Sequence, residues 1–480
     1  MGEKLKIGWV YGLTSLFLLA NLYLVVQKDM YWLFVLPVAL IVMYYYLTAY
    51  DKVLLFITFL TPLAVNINDL EMGMGVSLPT EPLMFGVLLI FLINVIYQNN
   101  YDKRISAHPI SYIIYLNLFW ILLTTFTSEM PVVSIKFFIS RLWFVVPFFF
   151  VAAMFFRKME NISRFLWLYL AGLVIVIIYT TIIHAQYGFD EETGHWVMSP
   201  FYNDHTAYGA ALAMFFPVCI GLIFFPGLNK LARTAAVFTL LFLVIAIILS
   251  YSRAAWLSIL ASAALFLLIV FRIRIYWVLS FLIVVIGLFF AFQHQIIDKL
   301  EKNKQDSSAN FAEHIKSITN ISSDASNLER INRWQAAVRL YDERPVFGWG
   351  PGTYQFVYAP YQRSKEKTII STNLGDKGNA HSEYLGPLAE EGLAGMLIVI
   401  ILFASILYSG IKVYEKGNLK VKFLSMMATI GLATYMAHGV LNNFLNTDKL
   451  SVPFWGFTAI IVALDIYHTQ NPAKAGPTEQ

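Results

Sequence analysis

The chain has 480 residues, 58% of them hydrophobic and only 13% charged, with a formal net charge of +4. Length alone would allow about three soluble domains, but such domains carry about 25% charged residues, so no soluble surface can be made from this chain, and a disordered or fibrous protein is excluded as well. The single cysteine, Cys219, lies in an apolar run, which excludes an intramolecular disulfide and a cysteine metal cluster. What remains is a polytopic membrane protein.

A helix crosses a bilayer core with about 20 apolar residues. Candidate spans lie near 8–26, 31–49, 53–67, 82–97, 109–126, 138–156, 164–184, 206–225, 234–250, 254–271, 275–292, 393–412, 421–441 and 452–468. Two of them, 53–67 and 82–97, are short and sit beside Pro62, Pro79 and Pro82, so each is open to a re-entrant reading. The expected architecture is an all-α polytopic membrane protein of twelve to fourteen transmembrane helices. The first segment has no small-residue cleavage site after it and is followed at once by another span, so it reads as a membrane helix rather than a cleaved leader.

Orientation follows from the Lys and Arg content of the short loops. With the N-terminus inside, 17 Lys and Arg residues fall on the inner side and only 5 on the outer, namely Lys28, Lys136, Arg141, Arg253 and Lys449. Both termini are therefore expected in the cytoplasm, which favours an even number of spans. The expected division is residues 1–292 as N-terminal membrane helices, 293–392 as one large outer loop, 393–468 as C-terminal membrane helices and 469–480 as a cytoplasmic tail. Arg141 and Arg253 then stand at the outer ends of apolar helices. A snorkelling Arg at the interface is the plain reading of either one, but two at one depth favour a shared anionic ligand.

The outer segment 185–205 carries Asp190, Glu191, Glu192, His195, Asp204 and His205. The carboxylates are adjacent rather than at helical spacing, so a solvated acidic loop explains them better than a metal site. Asn203 and Asp204 are suited to cap the following helix. In the large loop, 298–327 is polar with few large apolar residues. Residues 326–344 read as an amphipathic helix, with Ser326 and Glu329 in a capping-box pattern, Ile331, Trp334, Val338 and Tyr341 on one stripe, and Pro345 as its stop. Arg330, Arg333, Arg339 and Arg344 decorate that helix. They serve either a solvated face or a phosphate, with Glu329, Asp342 and Glu343 as internal partners in the first case.

The glycine-rich run PVFGWGPGTYQF, residues 345–356, follows a helix and lacks the lysine of a nucleotide-binding loop, which excludes ATP. Where the loop turns back to the membrane stands His381. A lone His is often structural, but this one shares a face with Arg141 and Arg253, and histidine is the usual base near neutral pH. Glu383, Glu390 and Glu391 are placed to orient or tune it, while His438 and Tyr384 are further candidates.

Four stretches resemble the superfamily of O-antigen ligases and polymerases, which includes bacterial protein O-oligosaccharyltransferases: FYNDHTAYGAALA at 201–213, SYSRAAW at 250–256, NRWQAAVRLYDERPVFGWGPGTY at 332–354 and AHSEYLGPLAEEGLAG at 380–395. Their order, their spacing and the single long outer loop also agree, over roughly residues 130–440. The resemblance implies a GT-C-like membrane glycosyltransferase of the bacterial inner membrane with its active site on the periplasmic face. Such an enzyme moves a glycan from an undecaprenyl-diphosphate carrier to an acceptor hydroxyl, without metal, nucleotide or other cofactor. His381 matches the family histidine and Arg253 the arginine of the Ser-Arg motif, and Arg141 matches an arginine on an earlier helix. Ser382 departs from the Asn that follows the His in many members.

On this reading His381 is the base, and Arg253, Arg141, Arg330 and Arg333 bind the diphosphate, with Arg339 an alternative to the last two. Glu383, Tyr384, Asn203 and Glu391 support them. No Asp-x-Asp pair stands in the outer loops to hold a metal. The expected partners are the lipid-linked donor, membrane lipids and an acceptor hydroxyl, with no nucleic acid. A lipid A core acceptor makes the protein an O-antigen ligase of lipopolysaccharide biosynthesis. A growing glycan would make it a polymerase, and a protein hydroxyl an oligosaccharyltransferase. A transporter or lipid flippase would call for ionisable residues in mid-membrane and internal repeats, and few such charges occur in the spans. A scaffold would have no need of Arg141, Arg253 and His381 together.

Overall fold

The computed structural model describes residues 2–28, 30, 35–67, 75–98, 101–273, 287, 325–364, 367 and 378–469. Thirteen helices dominate them: α1 (Gly2–Lys28), α2 (Val35–Leu60), α3 (Thr80–Gln98), α4 (Pro109–Phe126), α5 (Pro131–Phe155), α6 (Met159–Gln186), α7 (His205–Ile223), α8 (Lys230–Leu249), α9 (Arg253–Val270), α10 (Ala325–Glu343), α11 (Leu385–Lys416), α12 (Leu419–His438) and α13 (Asp448–His468). Nine of these helices, α3 to α9, α11 and α13, are long and apolar enough to cross a membrane.

The expected spans map onto these helices with one change. Those at 31–49 and 53–67 are the arms of one bent element, because α2 breaks at Ala49 (φ −159°, ψ 56°) and Leu40–Tyr46 meets Thr48–Leu63 at 113°. The expected span 275–292 (residue 287 aside), the polar stretch 298–324 and the tail from 470 lie outside the described residues. The expected span 421–441 corresponds to α12, which is less apolar than those nine helices. Ser425, Thr429, Gly431 and Thr434 are buried against neighbouring helices, so protein rather than lipid is their solvent.

One departure from an all-helical chain is an antiparallel hairpin of β1 (Val65–Ile67) and β2 (Val76–Leu78), in which Asn66 pairs with Ser77. Proline falls inside three of the helices. Pro147 has no N–H and stands in a π-helical turn, Val146–Val151, inside α5, while Pro217 and Pro453 lie within α7 and α13.

Lipid tails are as apolar as a leucine, so helix association here depends on close packing. Glycines supply it. A Cβ at Gly456 would strike the Phe165 ring, one at Gly221 the Met427 side chain, and one at Gly431 the Phe457 ring. Tyr169 and Phe215 stack with centroids 4.3 Å apart in the same core. The outward faces carry exposed Tyr97, Phe126, Phe224 and Leu231, as a lipid-facing surface requires.

The segment before α11 rests on a joint within that helix. Gly392 (φ 72°, ψ −171°) interrupts that helix, and the backbone groups released there pair with the glycine turn. Trp349 N–H donates to Ala389 O at 3.1 Å, Gly350 N–H to Glu390 O at 2.8 Å and Leu393 N–H to Pro345 O at 3.2 Å. Helix α10 packs beside this joint through Ala336, Ala337 and Leu340. Its buried face therefore differs from the expected stripe: Asn332, Arg333, Ala336, Ala337 and Leu340 face inward, while Val338 is exposed. The shift arises because α10 buries hydrogen-bonded polar side chains and small alanines instead of its largest apolar ones. Glu329, expected in a capping box, pairs with Arg333 four residues on.

Gly392→Ala is expected to cost about 1–3 kcal/mol of stability, since a Cβ there meets the carbonyl oxygens of Pro345 and Val346 at a positive φ. Thermal unfolding of the detergent-solubilised protein checks this.

Candidate functional site

The segment 379–384 is fixed from both sides. His381 adopts φ 47°, a region unusual for any residue but glycine. Its N–H donates to Asn379 Oδ1 at 3.0 Å, and its carbonyl accepts from Trp334 Nε1 of α10 at 3.3 Å. The Ser382 hydroxyl accepts from the amides of Tyr384 and Leu385 at 3.3 Å each, so it caps α11. Glu383 N–H donates to Gly439 O at 2.7 Å. The Glu383 carboxylate accepts from the Tyr435 hydroxyl and from the amides of Phe444 at 2.7 Å and Leu445 at 2.9 Å. Burial pushes the Glu383 carboxyl above its usual range. Its hydrogen bonds run to the loop after α12, so Glu383 acts as an anchor between two chain segments.

The arginines fall into two groups. Arg333 donates through Nε to Glu329 Oε1 at 2.8 Å and through Nη1 to Asn379 O at 3.1 Å, and it lies over the Tyr358 ring at 5.1 Å. Arg330 donates through Nε to Leu441 O at 3.2 Å. Both bear electrostatically on His381, while Arg253, first residue of α9, bears with Arg330 on His205. Arg141 belongs elsewhere. Its Nη1 donates to Leu445 O at 3.3 Å and its Nη2 to Asn446 Oδ1 at 3.1 Å, among the carboxylates Glu383, Glu390 and Glu391. The four arginines read together in the sequence are thus separated: Arg330 and Arg333 stand by His381, Arg253 bears on His205, and Arg141 lies among carboxylates.

The His381 ring has its pKa lowered to about 4, by burial first and then by Arg333 and Arg330, with Asp204 and Asn442 acting in the opposite sense. The ring is therefore neutral at physiological pH. His438 is buried behind it, its Nε2 3.2 Å from Asn442 Nδ2. Tyr384 donates to Met436 O at 3.0 Å, and burial pushes its hydroxyl pKa up to about 12. Glu391 is buried, and its carbonyl accepts from Trp120 Nε1 at 2.9 Å.

Asp204, rather than Asn203, caps α7, accepting from the amides of Thr206 and Ala207 at 2.8 Å each. Asn203 lines a cavity of about 560 Å³ together with Asn379, Ala380, Glu390 and Asn446. In the acidic loop Asp190 is taken up by the Thr193 amide at 2.9 Å and hydroxyl at 2.7 Å. His195 and His205 stack at 4.3 Å. The amides of the glycine turn are engaged by the protein itself: Gly352 and Tyr354 N–H donate to the two carboxylate oxygens of Glu390 at 2.9 Å each.

Sequence reasoning passed over Asn379, the connection Leu441–Asn446 and the buried Asp448–Lys449 pair. The run LNNFLNTDKL at 441–450 was the available signal, because three Asn residues between two spans is more hydrogen-bonding capacity than a simple turn needs.

Residues 238–400 match the family described as O-Antigen ligase. The matched stretch runs from α8 into α11 and contains Arg253, Arg330, Arg333 and His381. A stretch of 116 residues is 24% identical to an uncharacterized protein of Haemophilus influenzae, covering 24% of this chain and 28% of that protein. The chain thus spans little more than a quarter of that relative's length.

Arg333→Ala removes the guanidinium 2.8 Å from buried Glu329 and is expected to cost about 3–5 kcal/mol. The double change Glu329→Leu with Arg333→Met is expected to recover most of that loss, as read by thermal unfolding.

Proposed function

We propose, on the premise that this chain is a member of the O-antigen ligase superfamily, that it transfers a glycan from an undecaprenyl-diphosphate carrier to an acceptor hydroxyl on the outer face of the inner membrane, as an O-antigen ligase with lipid A core as acceptor. One observation supports this reading: a half-buried histidine with Arg330 and Arg333 beside it directly follows Asn379 and Ala380, which line a cavity large enough for a ligand.

The chemistry is a single displacement. His381 accepts the proton of the acceptor hydroxyl as its oxygen attacks the anomeric carbon. The bond from that carbon to the diphosphate oxygen breaks, and the configuration inverts. Arg253 and Arg330 take up the charge that develops on the departing lipid diphosphate, since fixed guanidinium groups match phosphate oxygens in a bidentate way. Arg333 holds the Asn379 carbonyl and so sets the His381 segment. Arg141 holds Leu445 and Asn446 on the opposite side, and Glu383 ties the two segments together. The donor's negative charge offsets Arg330 and Arg333, so its arrival makes His381 more basic when the base is needed.

His381→Ala is expected to lower transfer by about 10²–10⁴-fold and Arg253→Ala by about 10²–10³-fold, with membrane insertion retained. Arg253→Lys should also be impaired, because lysine lacks the guanidinium fork. Transfer to purified lipid A core, followed by mass spectrometry, reads all three, and wild-type rates in the two alanine variants would remove the assignment. Chelation with EDTA should leave the rate unchanged.

In kcat/KM, the rate should be flat near neutrality and fall only as pH drops through about 4 and the His381 base is protonated. In kcat, the same limb should lie at higher pH, because the bound diphosphate opposes the two arginines. A kcat/KM limb at the ordinary histidine value would contradict the burial of His381.

A further inference from the structure

The 560 Å³ cavity runs from Asn379 and Ala380 to the hairpin β1–β2 and the start of α13. Its floor is Asp448, whose side chain is fully buried. One carboxylate oxygen, Oδ2, accepts from Thr80 Oγ1 at 2.6 Å and lies 3.8 Å from Lys449 Nζ. The other, Oδ1, has no hydrogen-bond partner among the described residues. The same holds for Asn66 Oδ1, Asn443 Oδ1 and Trp143 Nε1, and all four side chains line this cavity. A buried polar atom without a partner is costly, and four around one cavity call for a ligand that satisfies them.

The set is three acceptors to one donor, which suits a ligand rich in hydroxyl groups. Phosphate is excluded by charge. Glu81 is buried beside Asp448, and the Lys449 ammonium is engaged by the carbonyls of Thr61 and Ala64 at 2.6 Å each. Rings also line the cavity, among them Phe137, Phe201 and Phe444. A pyranose has this dual character, hydroxyls at its rim and C–H bonds on its faces. We infer that the cavity is a neutral-sugar subsite in which Asp448, Asn66, Asn443 and Trp143 hydrogen-bond one pyranose ring, supplied by either the donor glycan or the acceptor glycan. This deepens the proposed transfer reaction and rests on it for the sugar's source, but not for its binding.

The test uses the full-length protein in nanodiscs, with methyl glycosides of glucose, galactose and N-acetylglucosamine as probes in saturation-transfer NMR. Wild type should bind at least one of them, and Asp448→Asn and Trp143→Phe should each weaken that binding at least tenfold. Thermal unfolding of Trp143→Phe should match wild type, which separates lost recognition from lost fold. His381→Ala should keep the glycoside signal while losing transfer, so failure of the catalytic reading stays distinct from failure of this one. In the transfer assay, a KM rise in Asp448→Asn confined to the acceptor assigns the sugar to the acceptor, and one confined to the donor assigns it to the donor. Absence of glycoside binding to wild type, or equal binding by the variants, overturns the proposal.

Discussion

The outer architecture depends on one buried carboxylate. Glu383 gathers two backbone amides and a tyrosine hydroxyl from a segment about sixty residues downstream. A carboxylate removed from water is expensive unless its lone pairs are taken up, so this residue is tolerable only when the His381 segment and the connection after α12 are in register. The cost of misassembly falls on the fold, and the benefit is a histidine whose position is set by buried partners rather than by a solvent-exposed loop.

Charge is distributed with similar economy. Around His381 the cations Arg330 and Arg333 outnumber the carboxylate of Asp204 that acts on the ring. Around Arg141 the balance reverses, with Glu383, Glu390 and Glu391 close by. The connection Leu441–Asn446 bridges the two regions, held by Arg330 at Leu441 and by Arg141 at Leu445 and Asn446. An anionic group is drawn to the first region and repelled from the second.

The membrane class was legible from composition, and nearly every span from hydropathy, because a bilayer imposes one length and one polarity on each crossing helix. The arms of α2 were read as two spans since nothing in the sequence marks Ala49 as a break. The position of His381 at a loop-to-helix boundary was legible, because α11 begins at Leu385. The division of the arginines was not: Arg141 and Arg253 share a depth in the sequence reading, yet which carboxylates surround each is decided by helices far apart in the chain. The inward face of α10 was misread for a related reason. Asn332 and Arg333 look like surface residues until Gln362, Glu329 and the Asn379 carbonyl are seen to meet them.

The break at Gly392 has a mechanical consequence. Where α11 loses its own ladder, three backbone hydrogen bonds splice it to residues 345–350 of the outer loop, and the Glu390 carboxylate grips the turn that follows. The turn and the first two turns of the helix therefore form a single lever with its fulcrum at the glycine. Any displacement of the turn would therefore be passed to Leu385–Glu391 and to the end of the His381 segment before it reached the rest of α11.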